Sequence, residues 1–363
     1  MATIPNSQNF PQFSQADIIS EMKKVSNIDI SDFRFYPAIQ NRPNEIIKIE
    51  SEENGIVLTF GTVARKALLS YTHETSLHLY KPADATVDTL YLHINIWTDD
   101  IFRVVFSKEK KISNPFSGLP ENARMLIAKP EKVEFTLDET ENKITLTTSK
   151  TEITVDKKTT RISAKFIDGK EFYSQKKQDF RTGDIHDLAL ADSDNDYACF
   201  EALELESDEI IYGLGERFDS LTRNGRTVDF HNKDAVGTTS RRAYINIPFY
   251  LSTKGYGLFL NSGAKTDWQI ATTDLSALQF AVLDSQLDYF VIGGKTPKDI
   301  IKGYCSLTGF SKLPPLWSFG LWMSRNSYVS WDVVDDIAKK VRENDIPCDV
   351  LHLDTAWFNR DWN

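Results

Sequence analysis

The sequence predicts a mostly β protein, an antiparallel β-sandwich followed by the first βαβ unit of an incomplete (β/α)8 barrel. Three observations carry that expectation. Short runs with period-two alternation fill most of residues 45–291, as in Arg161-Ile-Ser-Ala-Lys-Phe166, and polar or glycine-containing turns separate them. The alternation ends near Pro297, where apolar residues recur at helical spacing. Beyond the proline pair Pro314-Pro315, two continuous apolar runs flank one amphipathic stretch, and strand, helix, strand over about forty residues is the pattern of parallel strands joined by a crossover.

Taken in order, residues 1–45 are polar, rich in Asn, Gln and Ser, with one short helix expected from Ser14 as N-cap through Ile18, Ile19 and Met22. They are read as an N-terminal extension. Residues 46–296 are assigned to the sandwich, because many short half-buried strands bury their alternate side chains most simply by packing sheet on sheet. Residues 297–315 form a connecting helix, starting at Pro297 and running through Ile300, Ile301 and Tyr304 to Gly309, and then a stiff linker. Residues 316–363 begin the barrel. The run Leu316–Met323 is too uniformly apolar for a half-exposed strand and is expected to be a strand buried on both faces. Val333, Val334, Ile337, Ala338 and Val341 then repeat at helical spacing behind Ser330 as N-cap, and Val350–Leu353 is the second strand. A complete barrel takes about 250 residues, and only 49 follow Pro314, so the barrel is expected to be truncated.

Composition narrows the function. Lys and Arg total 42 against 52 Asp and Glu, for a net charge of -10. Neither a nucleic-acid backbone nor an anionic membrane has an electrostatic reason to bind such a chain. No stretch approaches the roughly 18 apolar residues needed to span a bilayer, and residues 1–20 lack the basic and apolar regions of a signal peptide, so a cytoplasmic protein is expected. Cys199, Cys305 and Cys348 are odd in number and far apart. They are expected to be free thiols rather than a disulfide framework or a metal site, and no cofactor is implied. Nothing in the pattern fixes the oligomeric state, and a homo-oligomer is compatible with it.

Three stretches carry a resemblance. Ile211-Tyr-Gly-Leu-Gly-Glu-Arg-Phe218, with Asn224-Gly-Arg-Thr227 and Tyr244-Ile-Asn-Ile-Pro-Phe-Tyr250 after it, resembles a turn, loop and strand of glycoside hydrolase family 31. Pro314-Pro-Leu-Trp-Ser-Phe-Gly-Leu-Trp322 is similar to that family's barrel entry, and Leu351-His-Leu-Asp-Thr-Ala-Trp357 to the end of its next strand. The resemblance implies a galactose mutarotase-like sandwich and a retaining α-glycosidase that removes terminal non-reducing α-linked xylose or glucose from oligosaccharides. The same sandwich also leaves open a stand-alone carbohydrate-binding module, which the coding sequence past codon 363 would discriminate.

Residue by residue, Gly213 and Gly215 bracket a tight backbone path, a structural role. Glu216 and Arg217 are expected to form an ion pair holding that loop. Asp234, in a polar loop that would otherwise be an Asx turn, matches an acidic residue that lines the aglycone side of the sugar site. Asp354 directly follows a parallel strand, on the face where barrels place their chemistry, and matches the family's glycone-binding aspartate; by itself it would read equally as a helix cap. Trp357, Thr355 and Ser327 complete the substrate-binding set. The α-xylosidases of the family carry Phe where Ser327 aligns and Cys-Phe at positions 355 and 356, so the smaller residues here keep α-glucosidase open. No catalytic residue is assigned: a retaining enzyme needs two carboxyl groups about 5 Å apart, and the resemblance puts both on later strands, beyond Asn363. Lys265-Thr-Asp-Trp268 imitates the start of the nucleophile motif, but it lies in the sandwich region without the Gly-Glu continuation, so Asp267 is rejected as nucleophile and read as a turn or strand-end aspartate.

Overall fold

The computed structural model describes residues 39–68, 79–114, 116, 118–120, 124–130, 132–176, 188–193, 196–232, 243–272, 274–325 and 327–354. The helix expected after Ser14 lies outside them. The chain divides into two compact units, one ending at Gly309 and one starting at Phe310.

In the first unit every named strand pairing is antiparallel. The larger sheet has 14 strands. Its central part runs from β2 (Gly55–Leu68) through β4 (Thr89–Thr98) and β5 (Ile101–Ser107) to β19 (Gln286–Gly293). Its other arm runs from β1 (Ile39–Glu52) through β11 (Ala189–Ser193) to β12 (Asp196–Glu204), β18 (Ala277–Val282), β17 (Thr266–Ile270) and β14 (Arg226–Phe230). Beyond β19 lie β16 (Tyr256–Leu260), β15 (Phe249–Ser252) and β13 (Ile211–Gly213), and β3 (Leu79–Ala83) pairs with β2 off this path. Tyr250 and Trp268 sit near opposite ends of this strand order, yet their rings are 6.0 Å apart. The sheet therefore folds back so that its two arms face each other, which is how one sheet supplies both layers of the sandwich.

A five-stranded sheet adds to the same core. It comprises β6 (Thr136–Glu139), β7 (Lys143–Thr147), β8 (Thr151–Asp156), β9 (Ile162–Phe166) and β10 (Glu171–Ser174). Alternate residues of both sheets, among them Ile56, Leu58 and Phe60, Leu90, Leu92 and Ile94, and Ile153 and Val155, are buried in one cluster, as the period of two requires. The outer face of β19 carries Phe290 and Ile292, which are buried with Ile300 and Leu307 of helix α1 (Pro297–Thr308). This helix starts where the proline predicts it. Thr296 caps it by accepting from the Asp299 N–H while the Asp299 carboxylate accepts from the Thr296 N–H, a reciprocal capping box.

In the second unit, β20 (Trp322–Arg325) and β21 (Val350–Leu353) pair in parallel and are joined by α2 (Trp331–Glu343). Ser330 caps α2, its Oγ accepting from the Val333 N–H. One expectation is overturned. Leu316–Phe319 forms a 3-10 turn, not a strand, and the extended part is restricted to four residues whose side chains are largely exposed; Leu316 is 88% exposed. The cause is local. Pro315 sets the entry angle, the Ser318 N–H and Oγ both donate to the Pro315 carbonyl (3.0 and 2.7 Å), and the Gly320 N–H closes onto Trp317 O. A serine that bonds back to the main chain offers the backbone an alternative to a strand. Gly320 then allows the chain to pass under Asp349, since a Cβ there would lie 1.7 Å from the Asp349 carboxylate. Ala338, expected on the apolar stripe of α2, is exposed.

Candidate functional site

The parallel pair fixes the position of two candidate residues. In the β20–β21 register Arg325 stands opposite Leu353, so Ser327, two residues on, and Asp354, one residue on, both leave the sheet at its C-terminal edge. Both are half-buried. Three contacts hold that edge. Ser324 Oγ and His352 Nδ1 are 3.2 Å apart across the strands, the Tyr328 hydroxyl donates to Met323 O at 3.4 Å, and the Arg325 guanidinium lies over the Tyr328 ring. At the opposite edge the buried Cys348 thiol sits 3.3 Å from Val350 O and 3.6 Å from Leu321 O, which explains a free cysteine by packing. Thr355 and Trp357 lie outside the described residues, so the structure brings together two of the four candidates in this unit.

The fifth candidate, Asp234 on the sandwich side, is also outside the described residues, but the residues leading into its loop are defined. Gly213, Leu214 and Gly215 all have positive φ, and a Cβ on Gly215 would lie 2.3 Å from the Ile245 carbonyl. The Gly-Leu-Gly segment therefore presses directly on the Ile245–Tyr250 backbone, which is the structural role expected for the glycines. Arg217 departs from the expectation. Among the described residues its guanidinium donates to Asn246 Oδ1, Leu214 O (3.2 Å) and Asp229 O (3.4 Å) and lies over the Phe230 ring, while Glu216 is exposed. Burial lowers the Arg217 pKa, and the neighbouring Arg223 adds to the shift. Asn246 continues the chain of contacts by donating to Asn232 Oδ1 at 2.5 Å. Asn232 and Asn246, missed in the sequence, thus tie the entry of the loop to the Gly-Leu-Gly turn. The available signal was a single Asn between two isoleucines in an otherwise apolar run.

Asp267 lies within β17, opposite Asp229 of β14 and Ala281 of β18, and is only 2% exposed. Its side chain is buried, and as the second residue of β17 it lies near the strand end rather than in a turn.

A buried polar network also lies within the sandwich. The Glu201 carboxylate on β12 accepts from Gln175 Nε2 (2.7 Å), from the Tyr289 hydroxyl (2.8 Å) and from the Ala202 N–H (2.9 Å). Tyr289 and Tyr173 share a further bond of 2.7 Å, and Gln175 Oε1 accepts from the Ile162 N–H. This network ties β12 and β19 of the large sheet to β9 and β10 of the small one. Burial pushes the Glu201 carboxyl up to about 7 against the pull of its donors and of Arg161, and the Arg161 guanidinium is lowered by burial to about 10.

A sandwich that leads into a parallel βαβ unit with polar residues at its C-terminal edge is the layout of a barrel protein carrying an N-terminal β domain. Comparison with known proteins agrees. Residues 91–268 match the glycosyl hydrolase 31 N-terminal galactose mutarotase-like domain, and residues 311–363 match the glycosyl hydrolases family 31 TIM-barrel domain. An α-xylosidase, XylQ, of Lactiplantibacillus pentosus is 42% identical over 159 residues, covering 43% of this chain and 21% of that protein. Alpha-glucosidase 2 of Bacillus thermoamyloliquefaciens is 30% identical over 281 residues, covering 75% of this chain and 33% of that protein. In fold, a family 31 dextranase of Flavobacterium johnsoniae complexed with glucose matches 87% of this chain and 34% of its own, with a TM-score of 0.67 at 20% identity. The chain belongs to glycoside hydrolase family 31, and it spans about a fifth to a third of the length of these relatives.

Proposed function

We propose that residues 1–363 are the N-terminal part of a retaining α-glycosidase that releases terminal non-reducing α-linked xylose or glucose, with Asp354 as a glycone-binding carboxylate. The observation that carries the reading is the position of Asp354, one residue past a parallel strand, within a segment that matches the family's barrel domain. A carboxylate at that edge accepts hydrogen bonds from sugar hydroxyls. The nucleophile and the acid/base, two carboxyl groups about 5 Å apart, are assigned to barrel strands other than β20 and β21. Asp234, Thr355, Trp357 and Ser327 are proposed to line the same site, Asp234 from the aglycone side. The small side chains of Ser327 and Thr355 stand where a xylose-specific pocket would carry bulkier ones, so the reading accommodates glucose as well as xylose. The test is the Asp354→Ala variant in a polypeptide that carries these residues together with the remaining barrel strands. A drop in kcat/KM on p-nitrophenyl α-xyloside or α-glucoside without loss of stability supports the role; unchanged kinetics removes it.

A further inference from the structure

At one end of the sandwich a cavity of about 670 Å³ opens between the β4–β5 turn, the β7–β8 and β9–β10 turns and helix α1. It lies wholly within the first unit. Its walls are tied to one another: the Thr148 and Thr151 hydroxyls donate to Asp99 O (2.6 and 2.9 Å), the Gly293 N–H to Asp100 O (2.8 Å), and the Ile167 N–H to Lys150 O (2.9 Å). The opening is thus preformed by backbone geometry.

Its chemistry is balanced. Lys150 pairs with Asp100 at 2.6 Å and Lys295 with Asp168 at 3.1 Å, and all four side chains line the cavity. Lys302 and Asp299 also face it; the Asp299 carboxylate is engaged by the Thr296 N–H and hydroxyl, and Lys302 makes no ion pair among the described residues. Three ammonium groups against three carboxylates give neither an anion nor a cation a net attraction. The floor and rim are apolar: Ile101, Ile292 and Phe166 are buried beneath it, and Ile167 is 53% exposed at its lip.

We propose that this cavity binds a neutral saccharide, as a site separate from the barrel. Vicinal hydroxyls both donate and accept, so they satisfy a carboxylate and the adjoining ammonium of one Lys–Asp pair together, a match that neither a phosphate nor an amine provides. The C–H face of a sugar ring covers the apolar rim, and the volume lies in the range of small-molecule sites. The inference does not depend on the role proposed for Asp354.

The experiment is a titration of the 363-residue chain with xylose, glucose, maltose and isomaltose, followed by saturation-transfer NMR, with inorganic phosphate and spermidine as charged probes. Saturable binding of at least one sugar is expected, with neither charged probe displacing it. Ser306→Trp places an indole into the cavity from the exposed side of α1 and is expected to weaken that binding at least tenfold. Lys150→Met keeps the apolar stem but breaks a pair; at least a fivefold loss is expected, and this variant decides the matter if the tryptophan variant does not fold. No saturable sugar binding up to tens of millimolar would overturn the proposal, as would equal affinity in Lys150→Met, or displacement of sugar by phosphate or spermidine.

Discussion

Replacing Glu201 by Gln is expected to shift the stability of the sandwich in the variant's favour by about 2–3 kcal/mol on going from pH 5 to pH 8. In the folded protein burial raises the carboxyl to about 7, from an ordinary value of 4.5. Between those values the folded state holds a proton that the unfolded chain releases, so the group's contribution is fully present below pH 4.5 and is lost as pH rises through 7. At about 1.36 kcal/mol per pKa unit, the loss on reaching pH 8 is about 3 kcal/mol. An amide has no such loss. With its carbonyl kept on the Ala202 N–H, its NH2 takes the place of the oxygen that accepted from both Tyr289 and Gln175; the Tyr289 hydroxyl turns to donate to Tyr173, and the Gln175 NH2 loses its acceptor, a cost that is the same at every pH. Urea unfolding followed by near-UV circular dichroism reports on the packed rings Trp268, Tyr289 and Tyr173, and the difference between variant and parent should grow by about 2–3 kcal/mol from pH 5 to pH 8. Parallel profiles would refute the reasoning, because they would mean that Glu201 carries the same charge in the folded and unfolded chains.

Two stability changes should follow from backbone geometry. Gly215→Ala puts a methyl group 2.3 Å from Ile245 O at φ +87, so it should cost about 3 kcal/mol or more and lower the thermal midpoint of the sandwich, whereas a neutral substitution would show that the Gly-Leu-Gly turn relaxes freely. Ser330→Ala removes the side-chain cap of α2 and should cost the second unit about 1 kcal/mol, read as faster amide exchange over residues 331–335; unchanged exchange would deny the cap.

Much of this architecture was legible because the signals are periodic and local. Alternation located strands such as Ile153–Val155, and Pro297 and Ser330 marked the helix starts where the caps are found. The run Leu316–Met323 misled because apolar content says nothing about whether Ser318 will bond back to Pro315. Glu201 escaped notice because a glutamate in an alternating strand reads as solvent-facing, and its burial depends on Tyr289 and Gln175, 88 and 26 residues away. Strand order, and with it the folding back of one sheet into both layers, is likewise a product of long-range pairing. For the site, the strand-end position of Asp354 was readable from the parallel pattern, whereas the Arg217–Asn246–Asn232 chain could not be, since the more obvious partner of Arg217 was its sequence neighbour.

The measurement that bears most directly on the functional account is kcat/KM beside the urea midpoint for Asp354→Ala, in a polypeptide carrying the remaining barrel strands. Two charged hydrogen bonds to sugar hydroxyls contribute about 3–6 kcal/mol, so kcat/KM should fall by roughly a hundredfold or more at an unchanged midpoint, with part of the loss in kcat as the ring flattens in the transition state. A midpoint lowered by about 1 kcal/mol with kinetics intact would identify Asp354 as a cap and contradict its place in the sugar site.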